Sequence, residues 1–525
     1  MPEYLYPGVY IEEIESGPRP IEGVPTSTAA FIGEAERGSV TPRMVCSYEE
    51  YRRWFGNAPG TESFLPDVVN GFFDNGGERA VICRVVGQGA MPAQAAFGDF
   101  SVRAAGPGTW GNRIFAKISD SKTTKPDGAP VGFSLQLAYW SGTPGNVDPF
   151  TFDGRAASPR PSIVEEFDDL VLDEKSSDYV GNRVPFIDLG RGSANQGSES
   201  SALGMLVRNG GAGANTRPAN GAQWLAAGRD AAHPIGTDDY VGDPQDPHAD
   251  KQGLAALELD PYRDVALVYA PNASNDVALK IIDHCERLRF RFAVIDCPKG
   301  QSNPSSLAPR EALSVDTSRA SFYYPWIVAA DSGSGAGKLM PPGGHVLGVY
   351  ARTDSERGVF RAPANETLRG ALALEFDIDD ETQNDLNAKG VNVIRGFPGR
   401  GIRVWGARTL TSDALWKYVN VRRLFIFLER SIYEGTQWVV FEPNDPHLWA
   451  RVTDTIREFL RAQWRAGALL GRTEDQAFFI ICNETVMTQD DIVNGRLICE
   501  IGVAPVRPAE FVIFRIFQHT AEALR

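Results

Sequence analysis

The chain has few cysteines, no long apolar run and no excess of basic charge, and each of these shortages excludes a class of protein. Six of 525 residues are cysteine and none forms a CxxC pair, so there is no disulfide framework and a reducing compartment is expected. No apolar run approaches the roughly 20 residues of a membrane span. The net charge of −15 argues against nucleic acid as a direct partner. Met1–Gly8 lacks the features of a signal peptide, so we expect synthesis in the cytosol and no stable membrane insertion.

The one glycine-rich loop that suggests phosphate binding, Gly333–Lys338, lacks parts of that motif. Ser332 stands where a phosphate loop needs its first glycine, and Leu339 stands where it needs serine or threonine. The prolines at 341 and 342 are expected to prevent the helix that should follow. We therefore interpret the segment as a surface loop.

Candidate metal sites are also incomplete. Asp377–Glu381 resembles the start of a calcium loop, but Thr382 replaces the required glycine. His284 and Cys285 do not have zinc-ligand spacing to Cys297. A solvated turn and core packing are the simpler interpretations, and we predict no cofactor, no metal and no catalytic residue.

A chain of 525 residues is too long for one hydrophobic core. Short apolar runs with a helical pattern between two of them predict buried strands of an α/β layer, and a Gly-, Asn- and Ser-rich stretch interrupts them. We therefore predict a multidomain protein of α/β and α+β class. The predicted parts are an N-terminal arm (1–25), an α/β domain (26–94 with 256–345), an inserted β-rich outer domain (95–255), a compact α+β domain (346–504) and a C-terminal arm (505–525).

Both ends of the chain have the pattern of extended strands. Val9–Ile14 is β-prone, and the prolines that follow it disfavour a helix. The run from Phe511 to Phe517 is apolar on both faces apart from Arg515, so it must be covered on both sides. Two interpretations remain open: an ordinary last core strand, or a strand donated to another subunit.

Several short motifs together resemble the tail sheath family of contractile phages and related contractile injection systems. In chain order they are Pro7–Glu13 (PGVYIEE), Gly108–Asn112 (GTWGN), Gly348–Asp354 (GVYARTD), Gly358–Asn365 (GVFRAPAN), Trp405–Leu410 (WGARTL), Phe441–Asp445 (FEPND) and Ala504–Phe511 (APVRPAEF).

The resemblance implies a structural subunit rather than an enzyme. Such subunits polymerise around an inner tube in a metastable extended state, and contraction drives the tube through a target envelope. The implied partners are identical copies in a helical stack, the inner tube protein, and baseplate and terminator or cap proteins, in a phage tail or injection particle assembled in the cytoplasm. The strands implied to be exchanged between copies contain Val9, Tyr10, Ile11, Glu12, Ile14, Phe511, Val512, Ile513, Phe514, Ile516 and Phe517.

Three arginines form a basic stripe on the helix predicted after Asp445. Arg457, Arg461 and Arg465 are spaced at i, i+4 and i+8, which places them on one face. The stripe is either a solvated face or, as the resemblance suggests, a contact with an acidic inner tube. Two other functions stay open at this point: a nucleotide-binding α/β enzyme, and a non-contractile tail or assembly protein.

Overall fold

The structure is a computed structural model. It describes residues 20–145, 148–150, 159–189, 200–210, 217–246, 251–511 and 513. In chain order its strands are β1 (Ala29–Gly33), β2 (Arg43–Val45), β3 (Ala80–Arg84), β4 (Gln94–Phe97), β5 (Phe100–Ala104), β6 (Ile114–Asp120), β7 (Phe133–Tyr139), β8 (Ile163–Leu170), β9 (Phe186–Asp188), β10 (Gly204–Arg208), β11 (Gly221–Trp224), β12 (Leu267–Tyr269), β13 (Phe292–Asp296), β14 (Ala320–Tyr324), β15 (Ile327–Ala330), β16 (Gly337–Met340), β17 (Glu366–Thr367), β18 (Ala371–Leu374), β19 (Val391–Phe397), β20 (Gly401–Val404), β21 (Phe478–Ile481) and β22 (Glu500–Val503).

The α-helices are α1 (Tyr48–Phe55), α2 (Leu65–Asp74), α3 (Val180–Arg183), α4 (Thr237–Val241), α5 (Gly253–Leu257), α6 (Asn275–Leu288), α7 (Pro309–Ala312), α8 (Gly343–Arg357), α9 (Asp380–Ala388), α10 (Val419–Gly435), α11 (Pro446–Arg465), α12 (Glu474–Ala477) and α13 (Gln489–Val493). Short 3-10 helices lie at Thr109–Arg113, Asp260–Tyr262, Pro304–Ser306 and Gln437–Val439.

The largest sheet among the described residues has nine strands in the order β2-β3-β1-β12-β13-β14-β19-β20-β17. The six strands from β3 to β19 run parallel, and the other three add antiparallel edges. Every residue of β1, β3, β13 and β14 is buried. The mixed α/β class predicted from short apolar runs is therefore confirmed, because strands buried on both faces are typical of parallel sheets.

Helix α8 begins directly after Pro341 and Pro342, so the expectation that these prolines prevent a helix is wrong. Both prolines precede Gly343, the first helical residue. N–H groups at the start of a helix have no acceptor within it, so the N–H that proline lacks costs no helical hydrogen bond there. The next residue, Gly344, lies against α2: a Cβ atom there would be 2.2 Å from the carbonyl oxygen of Val68. The glycines thus let α8 pack directly on the backbone of α2.

The motif at 348–354 lies in α8 and is used for packing. The hydroxyl of Tyr350 is 2.7 Å from that of Tyr323 in β14. Arg352 is buried and donates to the carbonyl oxygens of Asn75, at 3.0 Å, and Thr367, at 2.7 Å. These contacts tie α8 to the sheet and to the end of α2.

Between β3 and β12 the chain forms two further sheets, in the orders β4-β5-β10-β9 and β11-β6-β7-β8. Their inward side chains form one core that includes Phe100, Trp110, Leu135 and Leu206. Buried and exposed residues alternate along β4, as in a strand with one face exposed to solvent. This segment is the one for which the sequence predicts an inserted β-rich domain.

Contacts divide the chain into two units. One holds residues 26–356 and 363–419, and the other, called here the C-terminal unit, holds the described residues before 26, with 357–362 and those from 420 onward. The domain boundary predicted between 345 and 346 does not coincide with this division. The reason is that β19 pairs in parallel with β14, and β20 and β17 follow it, so residues up to 404 complete the nine-stranded sheet.

Candidate assembly interface in the C-terminal unit

Helix α11 organises the core of the C-terminal unit. Asp445 caps it as the sequence predicts, since its Oδ1 accepts a hydrogen bond from the N–H of Leu448 at 2.8 Å, and Pro446 is the first helical residue. Its apolar stripe, with Val452 and Ile456, packs in one core with residues of α10, β21 and the loop after it. The stripe therefore positions the hairpin that follows.

Strands β21 and β22 form a two-stranded antiparallel sheet, with Phe478 opposite Val503 and Ile481 opposite Glu500. Each has the other as its only strand neighbour in the described part of the chain. Two four-residue strands make a marginally stable sheet by themselves, and an unpaired edge is a template for another strand. We call this pair the open hairpin.

The open hairpin has one face on the core and one face outward. Phe478 is buried and Ile480 packs partly buried on the same core. Phe479, on the opposite face, is 54% exposed. A strand added beside β21 or β22 would therefore find apolar surface on both of its faces.

Residues 20–25 lie against α10 in the same unit. Ile21 is 8% exposed and joins the core, and the N–H of Val24 donates to Ser431 Oγ at 3.2 Å. A Cβ atom on Gly435 would lie 2.6 Å from Ile21 Cγ1, so glycine is required for this approach. The sequence pattern does not predict this docking; its one local signal is an isoleucine among prolines.

Most of the predicted arm residues lie outside the described part of the chain. These are Val9, Tyr10, Ile11, Glu12, Ile14, Val512, Phe514, Ile516 and Phe517. The two that are described, Phe511 and Ile513, are 69% and 79% exposed and belong to no strand. Neither therefore packs in the core of its own chain.

The predicted arginine stripe lies on α11, but acidic neighbours pair with it. Arg461 contacts Glu474, with Nε 2.7 Å from Oε2, and also Glu458 at 2.5 Å. Arg457 contacts Asp454 at 2.9 Å. Hydrogen bonding by Arg461 lowers the pKa of Glu474, which also feels the positive charges of Arg457 and Arg465. The stripe is thus a mixed-charge network and not a purely basic surface.

The glycine-rich segment 333–338 covers the end of the turn between β15 and β16 and the first two residues of β16, and side chains of the same chain occupy it. Asp331 Oδ1 accepts from the N–H groups of Gly333 and Ser334, at 3.1 and 2.7 Å. Lys338 donates to the buried carboxylate of Asp67 at 2.7 Å. A phosphate would have to displace Asp331 and Asp67, so the geometry does not favour nucleotide binding.

A cleft of about 910 Å³ opens at the carboxyl ends of β1 and β3, where α/β proteins commonly bind ligands. Several of its charged groups are engaged within the chain. Arg84 donates to the carbonyl oxygens of Gly38 and Pro107 at 2.8 and 3.0 Å, and Asp230 accepts from the N–H of Thr109 at 3.0 Å. The Thr109 hydroxyl also donates to Asp230, at 2.6 Å, so this carboxylate is held twice by one residue.

The described ranges contain no cluster of three or more His, Cys, Asp or Glu side chains placed to hold a metal ion. The Asp377–Glu381 segment instead supplies a helix cap, since Asp379 Oδ1 accepts from the N–H of Thr382 at 2.8 Å. No helix in the same ranges is long and apolar enough to cross a bilayer.

Comparison with known proteins gives matches over both units. The model of the phage tail sheath protein central domain matches residues 234–410, and that of the phage tail sheath C-terminal domain matches residues 411–519. A prophage major tail sheath protein of Pseudomonas aeruginosa is 26% identical over 256 residues, which is 48% of this chain and 64% of that protein. The chain spans less than two thirds of the length of the curated relatives it matches.

Solved structures show the same fold over nearly the whole chain. The sheath of the extracellular contractile injection system PVC, in its contracted state, has a TM-score of 0.59 and 24% identity, covering 99% of this chain and 100% of that one. The helical sheath of the anti-feeding prophage, also contracted, has a TM-score of 0.58 and 22% identity, covering 98% and 99%. The fold of the chain is therefore a known one.

Proposed function

The chain belongs to the phage tail sheath family, whose two domain models together match more than half of it, and from this we propose that it is the structural subunit of a contractile sheath. Copies would stack helically around an inner tube in a metastable extended state, and contraction would drive the tube through a target envelope. Baseplate and terminator or cap proteins would bind the ends of the stack. The particle is a phage tail or a tail-like injection system.

The open hairpin carries this proposal. A strand from a neighbouring copy can hydrogen-bond to an unpaired edge of β21 or β22, and the apolar faces of residues 511–517 suit such a site. Repeated head-to-tail contacts that do not close into a ring generate a helical filament. Linked strands also keep copies connected while the globular parts repack, which a contracting lattice requires.

Two observations argue against the enzyme alternative. The glycine loop is occupied by Asp331 and Asp67, and the cleft beside β1 and β3 holds arginine and aspartate side chains already bound within the chain. A non-contractile tail protein would share the hairpin but need not form long tubes. Electron microscopy of the purified protein separates these cases, because only a sheath forms extended helical tubes.

Removal of residues 511–525 tests the donated strand. The cut spares Val506, whose N–H donates to the carbonyl oxygen of Ala468 at 3.2 Å and whose side chain packs on the core. We expect a folded protein that sediments as a monomer and forms no tubes. Tubes of normal length from this truncated protein would contradict the proposal.

A point variant makes the same test without shortening the chain. Ile513→Lys places a charge in the proposed strand, and Val493→Lys on α13 is its matched control, because the two side chains are 79% and 75% exposed in the same unit. We expect Ile513→Lys to reduce tube formation at least tenfold and Val493→Lys to leave it near the wild-type level. Equal yields of tubes from both variants would count against strand donation.

We also propose that the arginine stripe faces the inner tube, now as a mixed-charge surface. Exposed ion pairs contribute about 0–1 kcal/mol each, so such contacts could release on contraction. Reversal of Arg457, Arg461 and Arg465 to glutamate should lower the yield of sheath assembled on tubes. Arg496→Glu is the control, since Arg496 also pairs with two acids in the same unit, Asp490 at 2.8 Å and Asp491 at 2.7 Å, both in α13. Unchanged assembly by the triple variant would exclude this role.

A further inference from the structure

Two of the six cysteines meet at the end of the open hairpin. The pairing of the strands ends with Ile481 opposite Glu500, and the next residue beyond each is a cysteine, Cys482 after β21 and Cys499 before β22. Both cysteines are reduced in the structure. The other four lie elsewhere, and of those only Cys46 is exposed.

The alternation of hydrogen-bonded and non-hydrogen-bonded pairs along the hairpin indicates that these two side chains lie close together. The N–H of Ala504 donates to the carbonyl oxygen of Ala477 at 2.9 Å, so 477 and 504 form a hydrogen-bonded pair. Hydrogen-bonded and non-hydrogen-bonded pairs alternate along an antiparallel ladder, which makes Cys482 and Cys499 a non-hydrogen-bonded pair. Such pairs have Cα atoms about 4.5 Å apart, within the range of about 4.4–6.8 Å that a disulfide spans.

The side chains also share one environment. Cys482 is 7% exposed and lies in the core of the C-terminal unit, and Cys499 packs partly buried on the same core. The two thiols are hydrogen-bonded to each other: this bond lowers the pKa of Cys482 and raises the pKa of Cys499. Cys482 is therefore the sulfur at which a thiolate forms first, and its burial admits small oxidants more readily than large ones.

We propose that Cys482 and Cys499 form a peroxide-sensitive pair that closes to a cross-strand disulfide at the end of the open hairpin. The Cys482 thiolate attacks one oxygen of hydrogen peroxide; an S–O bond forms, the O–O bond breaks, and the departing hydroxide takes up a proton to give water. The Cys499 sulfur then attacks the sulfenic acid; the S–S bond forms, the S–O bond breaks, and the thiol proton leaves with the oxygen as a second water. The two thiols lose two electrons and the peroxide gains them.

The disulfide would close residues 483–498, which include α13, into a covalent loop. Closing a loop of this size restricts the unfolded chain, so the C-terminal unit should unfold at a temperature higher by on the order of 5 °C. It would also fix the register of β21 against β22, and with it the edge offered to another strand. This pair senses the oxidation state of its surroundings whether or not the sheath proposal holds.

Peptide mapping of the folded, full-length protein tests the pair. A Cys46→Ser variant, which removes the exposed cysteine, is treated with hydrogen peroxide, its free thiols are blocked, and it is digested without reduction. We expect a linked peptide containing Cys482 and Cys499, lighter than the two separate peptides by two hydrogen atoms. Recovery of both cysteines as blocked thiols, at a peroxide dose that oxidises Cys46 in the wild-type protein, would overturn the proposal.

Thermal unfolding gives the second readout. Peroxide should raise the unfolding temperature of the Cys46→Ser protein, and dithiothreitol should reverse the rise. Adding Cys482→Ser should abolish the shift; an equal shift in that variant would refute the pairing. If Cys482→Ser does not fold, the peptide map of the Cys46→Ser protein decides the question alone.

Discussion

Replacing Lys338 by methionine should destabilise the unit that contains the nine-stranded sheet by about 3 kcal/mol, because it leaves a buried carboxylate without its cation. The side chain of Asp67 is fully buried, and its Oδ2 lies 2.7 Å from Lys338 Nζ. After the change, Asp67 keeps one hydrogen bond, from the N–H of Ser332 at 2.9 Å. Methionine matches lysine in length, so the loss reports the charge more than the packing.

A matched control and a double variant isolate the pair. Lys299 contacts Glu62 at 3.2 Å in the same unit, but these side chains are 43% and 67% exposed, so Lys299→Met should cost no more than about 1 kcal/mol. Asp67→Asn combined with Lys338→Met removes both charges. We expect the double variant to recover about 1–3 kcal/mol relative to the sum of the single changes.

Urea unfolding followed by tryptophan fluorescence measures these differences, with Trp326 buried in the same unit. The midpoint should fall for Lys338→Met and stay near wild type for Lys299→Met. Mg²⁺-ATP should not raise the unfolding temperature of the wild-type protein. A rise with ATP that Lys338→Met removes would show that the loop binds phosphate and would refute the structural role argued here.

Two further predictions concern pH and packing. Burial raises the pKa of Asp296 to about 7. The folded protein therefore holds a proton that the unfolded chain releases above about pH 4. The stability that this group contributes is present at low pH and is lost as pH rises towards 7. Asp296→Asn should therefore remove about 3 kcal/mol of the fall in unfolding free energy between about pH 5 and 7; an unchanged slope would contradict it. Gly435→Ala should clash with Ile21 and cost about 1–3 kcal/mol, with faster proteolysis at residues 20–25, and adding Ile21→Ala should recover part of the loss. Equal proteolysis of the wild type and Gly435→Ala would exclude that contact.

Local patterns predicted the single elements well. The start of α11 was predicted correctly from the cap at Asp445, the proline at 446 and the helical spacing after them. Such local signals suffice because capping and amphipathicity act within one or two turns. Residues 322–330 form one nearly continuous apolar run in the sequence. In the structure this run is divided between β14 and β15, which lie in two different sheets, and Pro325 lies between them. Which sheet a strand joins depends on partners far along the chain, so composition near that strand could not show it.

The site was less predictable than the fold. The arginine stripe on α11 follows from i, i+4 spacing, but its neutralisation by Glu474 required knowing that α12 returns beside α11. The docking of Ile21 on α10 and the facing of Cys482 with Cys499 likewise join residues that are distant in sequence. Spacing rules describe one element at a time, and each of these features lies between elements.

The open hairpin and the C-terminal run explain each other's exposed surface. A strand that is apolar on both faces needs cover on both, yet Phe511 and Ile513 are largely exposed in their own chain. The hairpin has the opposite need, with unpaired edges and an outward Phe479. One copy therefore carries both an exposed apolar run and a sheet with unpaired edges, and the proposed contact between copies would satisfy both at once. This complementarity favours donation over the alternative of an ordinary last core strand, and it makes Ile513→Lys the more informative change, because it alters the donor while leaving the acceptor intact.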